Sequence, residues 1–151
     1  MIKQARYAHT NLVARDWRKL ARFYEEVFGC VPLPPERDYS GKSTDAVTGV
    51  EQAHVWGVHL KLPGFEASSP TLEIFQYSRT EDKGSSAINQ PGFAHIAFEV
   101  ESVEQAREEM VAHGGSDLGE MVTLTIATGA QVTLIYMRDP EGNIVELQSW
   151  Q

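Results

Sequence analysis

The sequence predicts an α+β fold made of two β-α-β-β-β modules. Three observations predict it. A common plan recurs at an offset of 86 residues, 95 − 9; each copy opens with a strand and an amphipathic helix; and strand-like runs with turn signals follow each helix. From His9, "HTNLVARDWRKLARFYEEVFGC" aligns with "HIAFEVESVEQAREEMVAHGGS" from His95. Leu12 then meets Phe98, Ala14 meets Val100, Asp16 meets Ser102 and Gly29 meets Gly115. The repeat is one of plan, since few residues are identical.

The elements follow in order. A short strand carries His9. Asp16 is a suitable N-cap and Gly29 a suitable terminator, so a helix is predicted over about 17–28. Trp17, Leu20, Tyr24 and Val27 give it an apolar stripe at helical spacing, read as core. The block "VPLPPERDYSGKSTDAVTGV", 31–50, is rich in proline, glycine and polar residues. It is read as a long loop, with room for a short strand, that serves as a lid or a tolerated insertion. Strands follow at about 53–62 and 70–77, around the turn-rich "PGFEASSP".

The linker "RTEDKGSSAINQPG" separates the first module, about 1–78, from the second, about 92–151. After the strand of His95, a second helix is capped by Ser102 with Gln105 three residues on, and ends near Gly114 and Gly115. Strands are predicted at about 121–127, 131–138 and 143–148, the last two joined by the turn "DPEGN".

Composition narrows the function classes. Thirteen basic residues against 21 acidic ones give a net charge of −8, which argues against nucleic-acid and anionic-membrane partners. No apolar run reaches the length of a membrane span, and "MIKQARYAHT" lacks the apolar core of a signal peptide. The lone Cys30 has no internal disulfide partner and is read as a packed residue. A cytoplasmic location is the expectation.

"TLEIFQY" and "GNIVELQSW" each set a carboxylate, Glu73 or Glu146, inside an apolar strand. A buried carboxylate without a partner is costly, so each needs solvent or a cation. His9 and His95 lie on the first strand of their modules, and Glu73 and Glu146 on the last. Two imidazoles and two carboxylates suit a divalent first-row ion, and the absence of thiolates argues against a zinc finger. Each residue also has a plainer reading: a strand histidine as core or surface, a strand glutamate facing water. Strand alternation puts Asn11 on the face of His9, and Phe75 and Tyr77 on the face of Glu73. Asn11, Phe75, Tyr77 and Trp56 are candidate substrate contacts, with structural roles as the alternative. His54 and His59 are read as non-ligands, and His113 as a helix C-terminal residue that favours the dipole.

The stretches "HTNLVARDWRKLARFYEEVFG", "TLEIFQY", "GFAHIAFEV" and "DPEGNIVELQ" resemble the vicinal oxygen chelate superfamily, the glyoxalase I, bleomycin resistance and extradiol dioxygenase group. The resemblance covers nearly the whole chain. It implies two βαβββ modules whose curved mixed sheets surround a metal-binding cup. It also implies His9, Glu73, His95 and Glu146 as ligands of Ni, Zn, Co, Mn or Fe. The His/Glu/His/Glu pattern resembles glyoxalase I in particular. Dioxygenase-like and fosfomycin-transferase-like members lack a ligand at the Glu73 position, and methylmalonyl-CoA epimerases typically place a glutamine there. Glyoxalase I often has an arginine four residues after the first histidine; Val13 stands there in this chain, so glutathione is not implied.

The function expected from this resemblance is a metal-dependent lyase or isomerase acting on a small molecule. A proton next to a carbonyl is transferred through a metal-stabilised enediolate, with Glu146 or Glu73 as the base. The alternatives are a methylmalonyl-CoA epimerase-like enzyme, an extradiol-type dioxygenase and a non-catalytic antibiotic-binding resistance protein. A homodimer is expected from family habit and from the prevalence of twofold dimers.

Overall fold

The structure is a computed structural model that describes residues 4–82 and 84–151. The chain divides into two compact units, 1–81 and 82–151, with the division inside the linker. Each unit has its own mixed sheet, one of four strands and one of five.

The first unit runs β1 (His9–Val13), α1 (Trp17–Phe28), β2 (Val31–Ser40), α2 (Lys42–Thr48), β3 (His54–Lys61) and β4 (Thr71–Tyr77). Its strand order is β1-β4-β3-β2. β1 is parallel to β4, while β3 is antiparallel to both β4 and β2. α1 begins where expected because the Asp16 carboxylate accepts the Lys19 N–H at 3.0 Å. It ends because Gly29 adopts φ 66°, so that the Gly29 and Cys30 amides turn back to the carbonyls of Glu25 and Tyr24. Trp17, Leu20, Phe23 and Tyr24 are buried, as are Val58 and Leu60 of β3 and Leu72 and Ile74 of β4. Burying each such large apolar side chain stabilises the fold by about 1.5–3 kcal/mol.

The segment 31–50 departs from the loop read in the sequence. It forms the ten-residue strand β2 and the short helix α2. Prolines 32, 34 and 35 suggested a loop because proline has no N–H to donate. β2 accommodates them because it lies at the edge of the sheet and pairs with β3 alone. The register also shifts between Leu33 and Arg37, which spares the proline pair from regular pairing. Asp45 of α2 accepts the amides of Gln52 and Ala53 at 3.0 and 2.9 Å, tying the helix to the start of β3.

The second unit runs β5 (His95–Glu99), α3 (Val103–Ala112), β6 (Ser116–Asp117), β7 (Val122–Thr125), β8 (Gln131–Arg138) and β9 (Ile144–Trp150). The strand order is β5-β9-β8-β6, with β7 also paired to β8. β5 is parallel to β9, repeating the β1–β4 arrangement. Ser102 caps α3 by accepting the Gln105 N–H at 3.2 Å. Val103 and Met110 of α3 are buried, as are Ile135, Met137, Val145 and Leu147 of β8 and β9. The turn between these strands is organised by Asp139, 3% exposed, whose carboxylate accepts the amides of Glu141 and Asn143 and the Asn143 side chain, each at 2.9 Å. The expected α+β class and its repeated plan are thus observed, with β2 completing the first β-α-β-β-β module, α2 inserted after it, and β6 added to the second.

Candidate metal centre

The four donors expected from the sequence fall into two pairs, one in each unit. In the first unit, β-sheet register aligns Asn11 with Glu73 and Glu73 with His59 across β1, β4 and β3. Residues opposite one another in neighbouring strands point to the same face, so all three side chains meet. Asn11 Nδ2 donates to Glu73 Oε2 at 2.8 Å. His59 Nε2 lies 2.8 Å from Glu73 Oε1, and His9 Nε2 lies 3.6 Å from Glu73 Oε2. The Glu73 side chain is only 13% exposed, so its charge needs these partners.

His9, His59 and Glu73 each offer a ligand atom, and these atoms lie within 4.8 Å of one another. Two imidazole nitrogens and a carboxylate at such spacing suit a divalent ion of the first transition row. The His59 Nδ1 is 3.0 Å from the Thr71 hydroxyl, which fixes the ring plane. Burial lowers the His59 pKa, against the opposing pull of the Glu73 charge. The neutral imidazole required of a ligand is thereby favoured.

The second unit repeats the arrangement at matching register. Ala97 aligns with Glu146, and Glu146 with Tyr136, across β5, β9 and β8. His95 Nε2 lies 2.9 Å from Glu146 Oε2, and the Glu146 side chain is again 13% exposed. The Tyr136 ring lies 5.1 Å from that of His95, centroid to centroid. Its pKa is raised, first by burial and then by the charge of Glu146 and a hydrogen bond to it. The phenol stays protonated and donates to the carboxylate. Tyr136 therefore occupies in this unit the place that His59 occupies in the first.

The candidate substrate contacts divide. Asn11 and Phe75 share the Glu73 face, and the Phe75 ring lies 6.1 Å from that of His59. Tyr77 is two residues further along the same face of β4. Trp56 is aligned with Gln76, on the opposite face from Glu73, and stacks on His54 at 4.1 Å. The structure thus separates it from the Glu73 cluster, because 56 and 59 differ by an odd number in a strand whose faces alternate. His54 pairs with Asp38 Oδ1 at 2.5 Å. A cavity of about 850 Å³ opens beside Tyr7, two residues before His9, and is also lined by Arg6, Phe65 and Pro70.

His59 and Tyr136 were missed as site residues in the sequence, yet a signal for both exists. The β3–β4 hairpin is centred on Glu66, and folding it symmetrically sets His59 opposite Glu73. The β8–β9 hairpin is centred on Glu141, which sets Tyr136 opposite Glu146.

A fold of paired mixed sheets with a histidine on each first strand and a glutamate on each last one defines a class, and the family comparison gives it its name. The family model of the Glyoxalase/Bleomycin resistance protein/Dioxygenase superfamily matches residues 6–147, and the chain belongs to that superfamily. No curated protein matches the chain. Among solved structures, it is similar to a glyoxalase family protein from Bacillus cereus, with 20% identity, 99% and 98% of the two chains covered, and a TM-score of 0.83. It is also similar to a glyoxylase/bleomycin resistance protein/dioxygenase domain from Frankia sp., at 18% identity, 99% and 100% coverage and a TM-score of 0.63. A third similar structure is the fosfomycin resistance protein FosX from Listeria monocytogenes, complexed with Mn(II) and sulfate. It shows 18% identity, 99% and 93% coverage and a TM-score of 0.52.

Proposed function

We propose that this protein is a metal-dependent lyase or isomerase that transfers a proton on a carbon next to a carbonyl, with His9, Glu73, His95 and Glu146 as its metal ligands. The observation that carries the reading is the His–Glu pair found at the same register in both units, each with a carboxylate largely withdrawn from water. Superfamily membership supports it, since such proteins typically use a divalent metal, and FosX, similar in fold, binds Mn(II).

The donor set fits the ion, being nitrogen and oxygen throughout with no thiolate among the four. A bound divalent ion would supply Lewis acidity toward a substrate carbonyl. The chain's own residues supply the rest. Glu146, held by His95 and by the Tyr136 hydroxyl, is the favoured base; Glu73, held by Asn11 and His59, is the second carboxylate available to carry the proton. Asn11 is placed to donate to a substrate oxygen when it leaves Glu73, and Phe75 and Tyr77 give that face an apolar lining. Val13 lies on the His9 face of β1 and is half exposed, so this position offers a substrate apolar contact and no cation. We further propose that the protein is cytoplasmic and a homodimer; sedimentation of the purified protein tests the second, and cell fractionation the first.

Metal analysis of the purified protein tests the ligand set. Proton exchange then tests the reaction, using α-hydroxycarbonyl, hemithioacetal and acyl-CoA substrates in deuterated water with Ni, Co, Zn or Mn. Deuterium is expected at the carbon next to the carbonyl. Glu146→Gln is expected to fold normally and to lose about 10²–10⁴-fold in turnover. Full activity and metal content in both Glu146→Gln and Glu73→Gln would refute the proposal. Oxygen uptake with Fe(II) would move the protein to the dioxygenases, and tight drug binding without metal to the resistance proteins.

A further inference from the structure

We propose that His59 is itself a metal ligand, so that the first unit presents a three-donor site of His9 Nε2, His59 Nε2 and the Glu73 carboxylate. This rests on the metal-centre reading above and adds a donor to it from a strand that the His/Glu/His/Glu pattern does not use.

Three observations lead there. First, the ligand atoms of His9, His59 and Glu73 lie within 4.8 Å of one another, which is the only such group among the described residues. Second, the two histidines face different oxygens of one carboxylate. His59 Nε2 is 2.8 Å from Oε1 and His9 Nε2 is 3.6 Å from Oε2. An ion seated between the imidazoles could therefore meet either oxygen. Third, the remaining nitrogen of His59 is already held. Thr71 Oγ1 lies 3.0 Å from Nδ1. When a metal takes the place of the Nε2 proton that now faces Glu73, Nδ1–H would donate to that hydroxyl and keep Nε2 aimed at the site, the orientation a ligating histidine needs. Thr71 belongs to the same strand as Glu73, two residues earlier and on the same face, so β4 fixes both the carboxylate and the ring.

The second unit supplies a contrast. Its matching position is Tyr136, which has no ring nitrogen to offer a metal, and Thr71 is matched by Ile144, which has no hydroxyl to orient a ring. The arrangement that makes a histidine a ligand is thus present around Glu73 and lacking around Glu146.

The test is Co(II) titration of the full chain, stripped of metal and followed by d–d absorption and calorimetry. His59→Ala and His59→Gln should both bind Co(II) at least about 100-fold more weakly, beyond the roughly 10–100-fold carried by an orienting partner. Both should show an altered absorption spectrum. Glutamine can still donate to Glu73, so it separates ligation from mere positioning. The double variant His95→Ala/Glu146→Gln should bind Co(II) more weakly but keep a His59-dependent spectrum from the three donors of the first unit. In the wild type, which needs no variant to fold, Co(II) should move the exchangeable Nδ1 proton of His59 far outside the diamagnetic NMR range.

A His59→Gln protein with wild-type affinity and spectrum, or an unshifted Nδ1 proton in the loaded wild type, would overturn the inference. In that case loss of binding in His9→Ala and His95→Ala would leave the four-ligand reading intact. Absence of Co(II) binding by the wild type would end both.

Discussion

Glu73 illustrates how a single side chain is made tolerable inside a sheet. Its carboxylate is nearly covered, and donors stand at both oxygens, Asn11 at one and His59 at the other. A charged hydrogen bond of this kind contributes about 1.5–3 kcal/mol, and removing one partner leaves the other group to be desolvated alone. Cys30 shows the opposite solution. It is packed away from water, and burial, with the charge of Glu25, pushes its thiol up from 9.0 to about 12. Its folded-state pKa is thus raised above the unfolded one. The associated stability is fully present below pH 9 and is lost as pH rises toward 12. Native protein at pH 8 should leave a disulfide reagent such as DTNB unreacted, and the thiol should titrate only after denaturation. Rapid reaction of the native protein would contradict this packed reading.

At the scale of elements, the two long helices, α1 and α3, were the most legible part. Asp16, Gly29 and Ser102 act locally, through backbone N–H or carbonyl groups three to five residues away, so their effect is written in consecutive letters. β2 was hidden because its prolines argue against a strand, and only its edge position, a property of the whole sheet, resolves the conflict. Cross-strand neighbours were hidden for a related reason. His59 meets Glu73 through register, which depends on where a nine-residue connection, 62–70, places the centre of a hairpin. Gly57 carries a second such constraint. A Cβ there would run into the Ile74 carbonyl oxygen and the Phe75 ring. Gly57→Ala should therefore cost about 1–3 kcal/mol of stability, in the range of overpacking, and should displace Phe75 beside the Glu73 cluster. Urea denaturation measures the first effect, and weakened metal binding reports the second. An unchanged unfolding midpoint would show that the strand yields at no cost.

For the molecule as a whole, the carboxylates of the two His–Glu pairs are part of a net charge of −8. A divalent ion would bind the folded state better than the unfolded one and so stabilise it by mass action. At a free concentration about 100 times its dissociation constant, the gain is about 2.7 kcal/mol. For a chain of this length that corresponds to a rise of roughly 5–10 °C in Tm. Calorimetry should show the increase with Co or Ni, and excess chelator should reverse it. A Tm insensitive to every divalent ion would count against the metal centre. The plan of two modules could be read from the sequence because its two copies recur at an offset of 86 residues and the plan survives low identity. The chemical difference between the two sites could not, because it lies in residues 59 and 136, which differ in type and meet their glutamates only in the sheet.

That difference also equips the protein with two built-in reporters. Besides the histidine of the first strand, Glu73 meets the His59 imidazole, whereas Glu146 meets the Tyr136 phenol. Ring-proton resonances of Tyr136 can follow one carboxylate while those of His59 follow the other. Events at the twin positions can thus be timed independently in the unmodified chain, with no label attached.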